Sequence, residues 1–143
     1  MSIRQISVFV ENKQGSLVEI TDTLAKENID LRAMSIADTQ DFGILRLIVS
    51  DTDKALAVLR SKNCIVTETA VLGARLRNEP GALATVVRVL SEGDINVEYM
   101  YAFNGSTPHH AYVVLRVNDN DKVQELLLNE GIKCITQEQV SEI

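Results

Sequence analysis

Two short stretches carry the residues best suited to holding a small charged molecule. They are Asn78-Glu79-Pro80-Gly81-Ala82-Leu83 and, 66 positions earlier, Asn12-Lys13-Gln14-Gly15-Ser16-Leu17. Each reads as a strand running into a helix. A helix that starts there presents free backbone amides and the positive end of its dipole, which together can hold a carboxylate. Asn12 or Asn78 adds a side-chain amide that both donates and accepts, and Glu11 or Glu79 can meet an ammonium group. A free amino acid carries both charged groups. The same pattern can also do no more than cap a helix, and the local residues leave both readings open. Pro80 is expected at the first helical position, where its missing N–H costs nothing.

No other residues assemble into chemistry. A hydrolase or transferase needs a nucleophile with a base, a paired acid and base, or a metal cluster, and none is evident. His109 and His110 are the only histidines. They sit side by side at a strand start, so their side chains point to opposite faces and do not share a metal. Cys64 and Cys134 are isolated, without Cys-x-x-Cys spacing, and read as buried thiols acting as small hydrophobes. No enzyme, metal or cofactor is expected.

Composition narrows the partners. With 14 basic against 20 acidic residues the net charge is -6, and there is no Lys/Arg cluster of the kind that neutralises phosphates, so nucleic acid is not expected. No apolar run approaches the roughly 18 residues needed to span a bilayer. The first residues, Met1-Ser2-Ile3-Arg4-Gln5, lack the apolar core of a signal peptide. A cytoplasmic protein without a membrane partner is expected, and 143 residues at 45% apolar content can build a real core.

The elements that must position the two stretches follow from periodicity. Ile6, Val8 and Val10 alternate with Ser7, Phe9 and Glu11, the pattern of a half-buried strand. A helix follows with Leu17, Ile20, Thr21 and Leu24 on one side. Ser16 and Glu19 fit a capping box, but their counterparts Ala82 and Thr85 do not, so the helix start stays open. Residues 31–38 and 43–50 read as a hairpin through Thr39-Gln40-Asp41-Phe42. A second helix starts near Asp51 to Asp53, and Ile65-Val66-Thr67 closes the unit as a strand. This is the α+β order of a ferredoxin-like βαββαβ unit, an antiparallel four-stranded sheet with both helices on one face.

The second half repeats the first. At an offset of 66, Asn12 meets Asn78, Gly15 meets Gly81, Leu24 meets Leu90 and Met34 meets Met100. After the hairpin the offset becomes 68, so Asp51 meets Asp119 and Leu59 meets Leu127. The extra residues fall in the turn Asn104-Gly105-Ser106-Thr107-Pro108. Gly93 and Gly131 mark the ends of this half's helices. Two repeats result, 1–68 and 69–143, joined almost strand to strand because residues 67–71 contain no linker composition.

Such a sheet leaves one face free of helices. By alternation Met100 and Ala102 face the helices, while Tyr99, Tyr101 and Phe103 point away, as do Phe9, Ile44, Ile48, Tyr112 and Val114. Five of the six aromatic residues then lie on that far face, too much apolar surface to stay wet. It is expected to be covered by another sheet, or to floor a ligand pocket.

With the repeat and the loops in hand, the chain resembles tandem ACT domain proteins, small regulatory modules that bind amino acids. The carriers are Asn12-Lys13-Gln14-Gly15-Ser16-Leu17 with Asn28-Ile29-Asp30-Leu31, and Asn78-Glu79-Pro80-Gly81-Ala82-Leu83 with Asp94-Ile95-Asn96-Val97. The resemblance implies a ligand held where two ACT units meet, between the strand-to-helix loop of one and the residues after the first helix of its neighbour. Carried over, this names Asn78, Glu79, Gly81, Ala82, Leu83 and Asn96 in the second repeat, and Asn12, Gly15, Ser16, Leu17 and Asp30 in the first. The first repeat departs from the pattern at Gln14, where Pro is usual, and at Asp30, where the second has Asn96. ACT units usually report to a catalytic domain in their own chain. Here the resemblance implies action in trans, on a metabolic enzyme or regulator, by a homodimer or higher homo-oligomer that binds a free amino acid. The competing reading is an interaction or scaffold protein, or a regulatory subunit of a separate enzyme, that keeps the fold but not the ligand.

Overall fold

The alternating and helical patterns place the elements in the expected order. In a computed structural model, which describes residues 1–38 and 41–143, they are β1 (Ile3–Glu11), α1 (Ser16–Lys26), β2 (Leu31–Asp38), β3 (Phe42–Val49), α2 (Thr52–Ser61) and β4 (Ile65–Arg77). The chain continues through α3 (Ala82–Glu92), β5 (Tyr99–Ala102), β6 (His110–Arg116), α4 (Asn120–Asn129) and a 3-10 turn at Glu138–Glu142. Thr39 and Gln40 of the expected first hairpin turn lie outside the described residues. None of the helices among the described residues is long and apolar enough to cross a membrane.

Contacts divide the chain into Arg4–Thr69 and a second unit made of Ala70–Ile143 with Met1–Ile3. In the first unit the strand order is β2-β3-β1-β4. Ile6, Val8 and Val10 of β1 and Leu45, Leu47 and Val49 of β3 pack against Ile20 and Leu24 of α1 and Leu59 of α2. In the second the order is β4-β6-β5. Leu72, Ala74 and Leu76 of β4 and Val113 and Leu115 of β6 pack against Val86, Leu90, Val123 and Leu127. Each unit therefore has one sheet face buried by two helices, the ferredoxin-like arrangement. The fourth strand of the second unit shrinks to a single bridge between Ala74 and Cys134. The last strand of the first repeat and the first of the second are one strand of 13 residues.

Helix ends repeat as closely as helix faces. Asn28, Asn63, Asp94 and Gly131 adopt left-handed φ values of 57°, 62°, 57° and 76° just past the four helices. In each case the following amide reverses onto a carbonyl of the last turn, as Ile29 N donates to Leu24 O at 3.0 Å and Ile95 N to Leu90 O at 2.8 Å. This closes the terminal carbonyls that a helix otherwise leaves open. Gly93 and Gly131 both stand where their helices stop: Gly93 is the C-cap of α3 at φ −87°, followed by left-handed Asp94, and Gly131 takes the left-handed position itself after α4.

The far face carries the residues that alternation assigns to it. Met100 joins the helix-side core. Tyr99 and Tyr101 stack with centroids 6.5 Å apart, and Phe103 meets Tyr112 edge-on at 6.3 Å. Ile48, Val114 and Phe103 are buried, but the tyrosines are only half-buried and Phe9 is 46% exposed. Within the single chain this face is therefore covered only in part. In the second unit the C-terminal segment lies on this side: a Cβ on Gly73 would stand 2.7 Å from Ile135. Arg75 and Tyr112 also share a cavity of about 360 Å³ with Thr136, Gln139 and Ile143. That segment had no signal in the period-two pattern.

One charged cluster ties the start of β1 to two other elements of the first unit. Arg4 donates through Nε to Glu68 and through Nη2 to Asp53 at 2.7 Å. These hydrogen bonds, with the guanidinium charge, hold both carboxyls below the usual range. A carboxyl whose folded pKa is depressed contributes stability above its unfolded pKa, near 4, and loses it as pH falls through the folded value. Substituting Arg4→Met is expected to lower stability at pH 7 and to flatten the fall in stability below about pH 4. Urea titrations at pH 7, 5, 4 and 3 check this; an unchanged acid limb would rule the cluster out as its source.

Candidate functional site

The two loops singled out by their residues take the same shape. Gly15 and Gly81 are the N-caps of α1 and α3, with left-handed φ of 90° and 88°, and neither helix has a side-chain cap. Ser16 is the first helical residue, not the cap, so the capping box does not form. Pro80 lies in the turn, one residue before the cap, and not at the first helical position. Thr85 N and Glu19 N close the first helical bonds onto Gly81 O and Gly15 O at 3.0 and 3.2 Å. The amides before them, at Leu83 and Ala84 and at Leu17 and Val18, have no carbonyl of their own helix to bind. By contrast α2 and α4 are closed, because Asp51 accepts from Lys54 N and Asp119 from Lys122 N, each at 3.1 Å.

The side chains around the open starts are mostly exposed. Asn12, Leu17, Glu79 and Leu83 face water, and Ser16 and Ala82 are half-buried. Asn78 is committed on one side: its Nδ2 donates to Thr107 O at 3.1 Å, and its backbone N to His109 O at 2.9 Å. Its Oδ1 and the second hydrogen of Nδ2 remain available to a ligand. Glu79 lies 3.9 Å from Arg77, and Glu11 3.0 Å from Lys13. Such exposed pairs are weak, so an ammonium group can replace the cation.

Asp30 and Asn96 lie elsewhere. Asn12 N donates to Asp41 O beside one end of β3, while Ser50 N donates to Asp30 O beside the other. At about 3.3 Å per residue, the strand between them spans about 23 Å. Asn78 and Asn96 are separated likewise along β6, because Asn78 N binds His109 O and Glu98 N binds Arg116 O. One free amino acid cannot bridge either distance. Within a unit the structure brings the helix-start residues together and keeps Asp30 or Asn96 apart from them. Asp30 also pairs with Arg32 at 2.7 Å.

Beside each helix start runs a groove that the loops alone do not reveal. In the second unit it has about 390 Å³ and is lined by Arg77, Glu79, Ala82, Val86, His110, Glu130 and Lys133 among others. In the first unit about 290 Å³ is enclosed by the equivalent positions, Glu11, Lys13, Ser16, Ile20, Lys62 and Ile65. Sequence reasoning missed the far wall, the turn that follows the second helix of each unit. The signal was present in the repeat itself, since the offset of 68 pairs Lys62 with Glu130 and Ile65 with Lys133. His110, read as a strand-end residue, lines the second groove. Among the described residues no three His, Cys, Asp or Glu side chains are grouped to hold a metal ion. Cys64 and Cys134 are half-buried and packed against the two cores, and burial pushes both thiols up from their ordinary pKa.

This fold has counterparts among known proteins. The model of the ACT domain pair family matches residues 1–143, and the chain belongs to that family. Protein BT0572 from Bacteroides thetaiotaomicron is 42% identical, with a TM-score of 0.92 over 100% of this chain and 98% of that one. The ligand-free regulatory subunit of aspartate kinase from Thermus thermophilus shares the fold at 11% identity, with a TM-score of 0.66 over 88% of this chain and 91% of that one. The regulatory subunit of aspartate kinase from Thermus flavus does so at 13% identity and 0.62, over 88% of each chain. A search of curated protein sequences returned no match.

The left-handed caps make a local prediction. A Cβ on Gly15 or Gly81 would meet nothing within 4 Å, so any cost of adding one is conformational. Gly81→Ala and Gly15→Ala are each expected to destabilise by about 1–2 kcal/mol, the cost of an L-residue in the left-handed region. Denaturant titration measures it, and no loss would mean that the turn is free to take another form.

Proposed function

We propose that this protein is a non-catalytic, amino-acid-binding regulator acting in trans, its ligand held where the helix-start loop of one ACT unit meets the Asp30 or Asn96 end of another. The observation that carries this reading is the separation just described: each unit has an open, uncapped helix start at one end and its expected complement at the other. The ligand's carboxylate would take the free amides of α3 or α1. Its ammonium would take Glu79 or the carbonyl side of Asn78. The residues in this role are Asn78, Glu79, Gly81, Ala82 and Leu83 with Asn96, and Asn12, Gly15, Ser16 and Leu17 with Asp30.

A homodimer or higher homo-oligomer would supply such junctions. Action in trans is part of this proposal, and the family match covers residues 1–143. The fold shared with proteins described as aspartate kinase regulatory subunits supports the regulatory reading. The mechanism is linkage: a ligand bound across a junction favours the assembly that forms it, and that assembly binds a metabolic enzyme or regulator differently.

A thermal-shift screen against the common amino acids tests the reading. A ligand at about 100 times its dissociation constant is expected to add about 2.7 kcal/mol, and Asn78→Ala or Asn96→Ala is expected to reduce that gain. A flat screen would leave the scaffold reading in its place. A gain retained in both variants would move the ligand elsewhere.

A further inference from the structure

The first unit leaves large apolar side chains in water at three places where the second carries polar ones. Phe9, Phe42 and Ile65 are 46%, 55% and 68% exposed, and all three line the groove of about 290 Å³ beside α1. In the first unit Phe9 pairs with Ile44 and Glu11 with Phe42; in the second Arg75 pairs with Tyr112 and Arg77 with His110. Position for position, Phe9 becomes Arg75, Phe42 becomes His110 and Ile65 becomes Lys133. The same backbone thus accepts polar side chains at these places, and the fold does not call for apolar ones.

Contiguous apolar surface that a fold does not need marks a place where something binds. Its extent distinguishes the occupants. With about 150–250 Å² for an aromatic side chain, the exposed fractions of the three residues amount to roughly 300 Å². A stable protein interface takes about 800 Å² from each partner, so this patch is too small to hold a second chain by itself. It matches one amino-acid side chain. The buried Val10 and Ile20 line the same groove and extend its apolar wall. Its volume of about 290 Å³ suits a small ligand, since small-molecule pockets run from about 300 Å³ upward. Charged side chains of both signs line it too, Lys13 and Lys62 for a carboxylate and Glu11 and Glu19 for an ammonium group. Glu11 and Lys13 pair with each other at 3.0 Å, both largely exposed, an interaction weak enough for a zwitterion to replace.

We propose that the first unit's groove takes an amino acid with a large apolar side chain, seated on Phe9, Phe42 and Ile65. The inference rests on the amino-acid reading above and adds the class of ligand. The apolar wall supplies the selectivity, because a polar side chain placed against it loses its water without gaining a hydrogen bond. The second groove, lined at the same places by Arg75, His110 and Lys133, does not share the preference. The two units of one chain then differ in what they bind.

Calorimetric titration of the full chain tests it with L-leucine, L-methionine and L-phenylalanine, each beside a polar amino acid of similar shape, L-asparagine, L-glutamine and L-histidine. At least one apolar member is expected to bind about tenfold or more tightly than its polar counterpart, the discrimination that burying such a side chain provides. Phe42→His and Ile65→Lys install the residues the second unit already carries, and each should weaken that ligand by about tenfold. Melting curves by circular dichroism confirm that both variants fold. Polar members binding as tightly as apolar ones would overturn the inference and leave the amino-acid reading standing. A preference retained in both variants would overturn the assignment to this groove. Variants that shift the sedimentation of the protein to a smaller species, with no apolar preference in the unsubstituted chain, would make the patch a contact between copies instead. Failure of every common amino acid to bind would remove the reading and the inference together.

Discussion

Everything distinctive about the two candidate sites follows from one backbone constraint, the left-handed turn at Gly15 and Gly81. A strand that must hand the chain to a helix packed on its own sheet, within four residues, needs a sharp reversal. Glycine makes it at φ near +90° without a steric penalty. The cost of using glycine there is that the cap position has no side chain to close the helix amides. The other two helices solve the same problem with Asp51 and Asp119, whose carboxylates occupy the amides. The protein therefore contains two kinds of helix start, one closed by its own residues and one open.

The repeat shows which features of the unit are held and which are free. Helix-side residues correspond closely: Leu24 with Leu90, Leu59 with Leu127, Val49 with Val117. Close packing allows little else, because a change of one methylene in a core is felt. The left-handed helix exits correspond in conformation even where the residue changes, as from Asn63 to Gly131. On the far face, where no helix presses, Phe9 and Arg75 occupy the same position. The frame is duplicated while the surface it presents is not.

This division also explains what could be read from sequence. The order of elements, the helix-facing residues and the orientation of Tyr99, Tyr101 and Phe103 were legible because they obey periods of 2 and 3.6. Pro80 was misplaced because its preference for the first helical turn is local, whereas here Gly81 claims the cap and pushes Pro80 outside. The C-terminal segment was invisible because Ile135 and Val140 are buried by tertiary position alone, without a repeating pattern. At the site, the glycine loops announced themselves. The groove's far wall did not, because Glu130 and Lys133 are more than 45 residues distant from Glu79 in sequence and meet it only through the fold.

Strand β4 has a bearing on how the two copies can be inherited. Residues 65–69 belong to one unit and the rest of the same strand to the other, while Met1–Ile3 group with the second unit although they precede the first. A duplicated module normally keeps a loop at its boundary where recombination can cut. Here the boundary lies inside a hydrogen-bonded strand, and the second copy draws on residues 1–3, which precede the first copy in the chain. Losing, swapping or adding a copy by a single crossover would leave a truncated strand behind. The pair is therefore transmitted as one heritable unit, and its two halves are free to diverge in surface chemistry without being exchanged for one another.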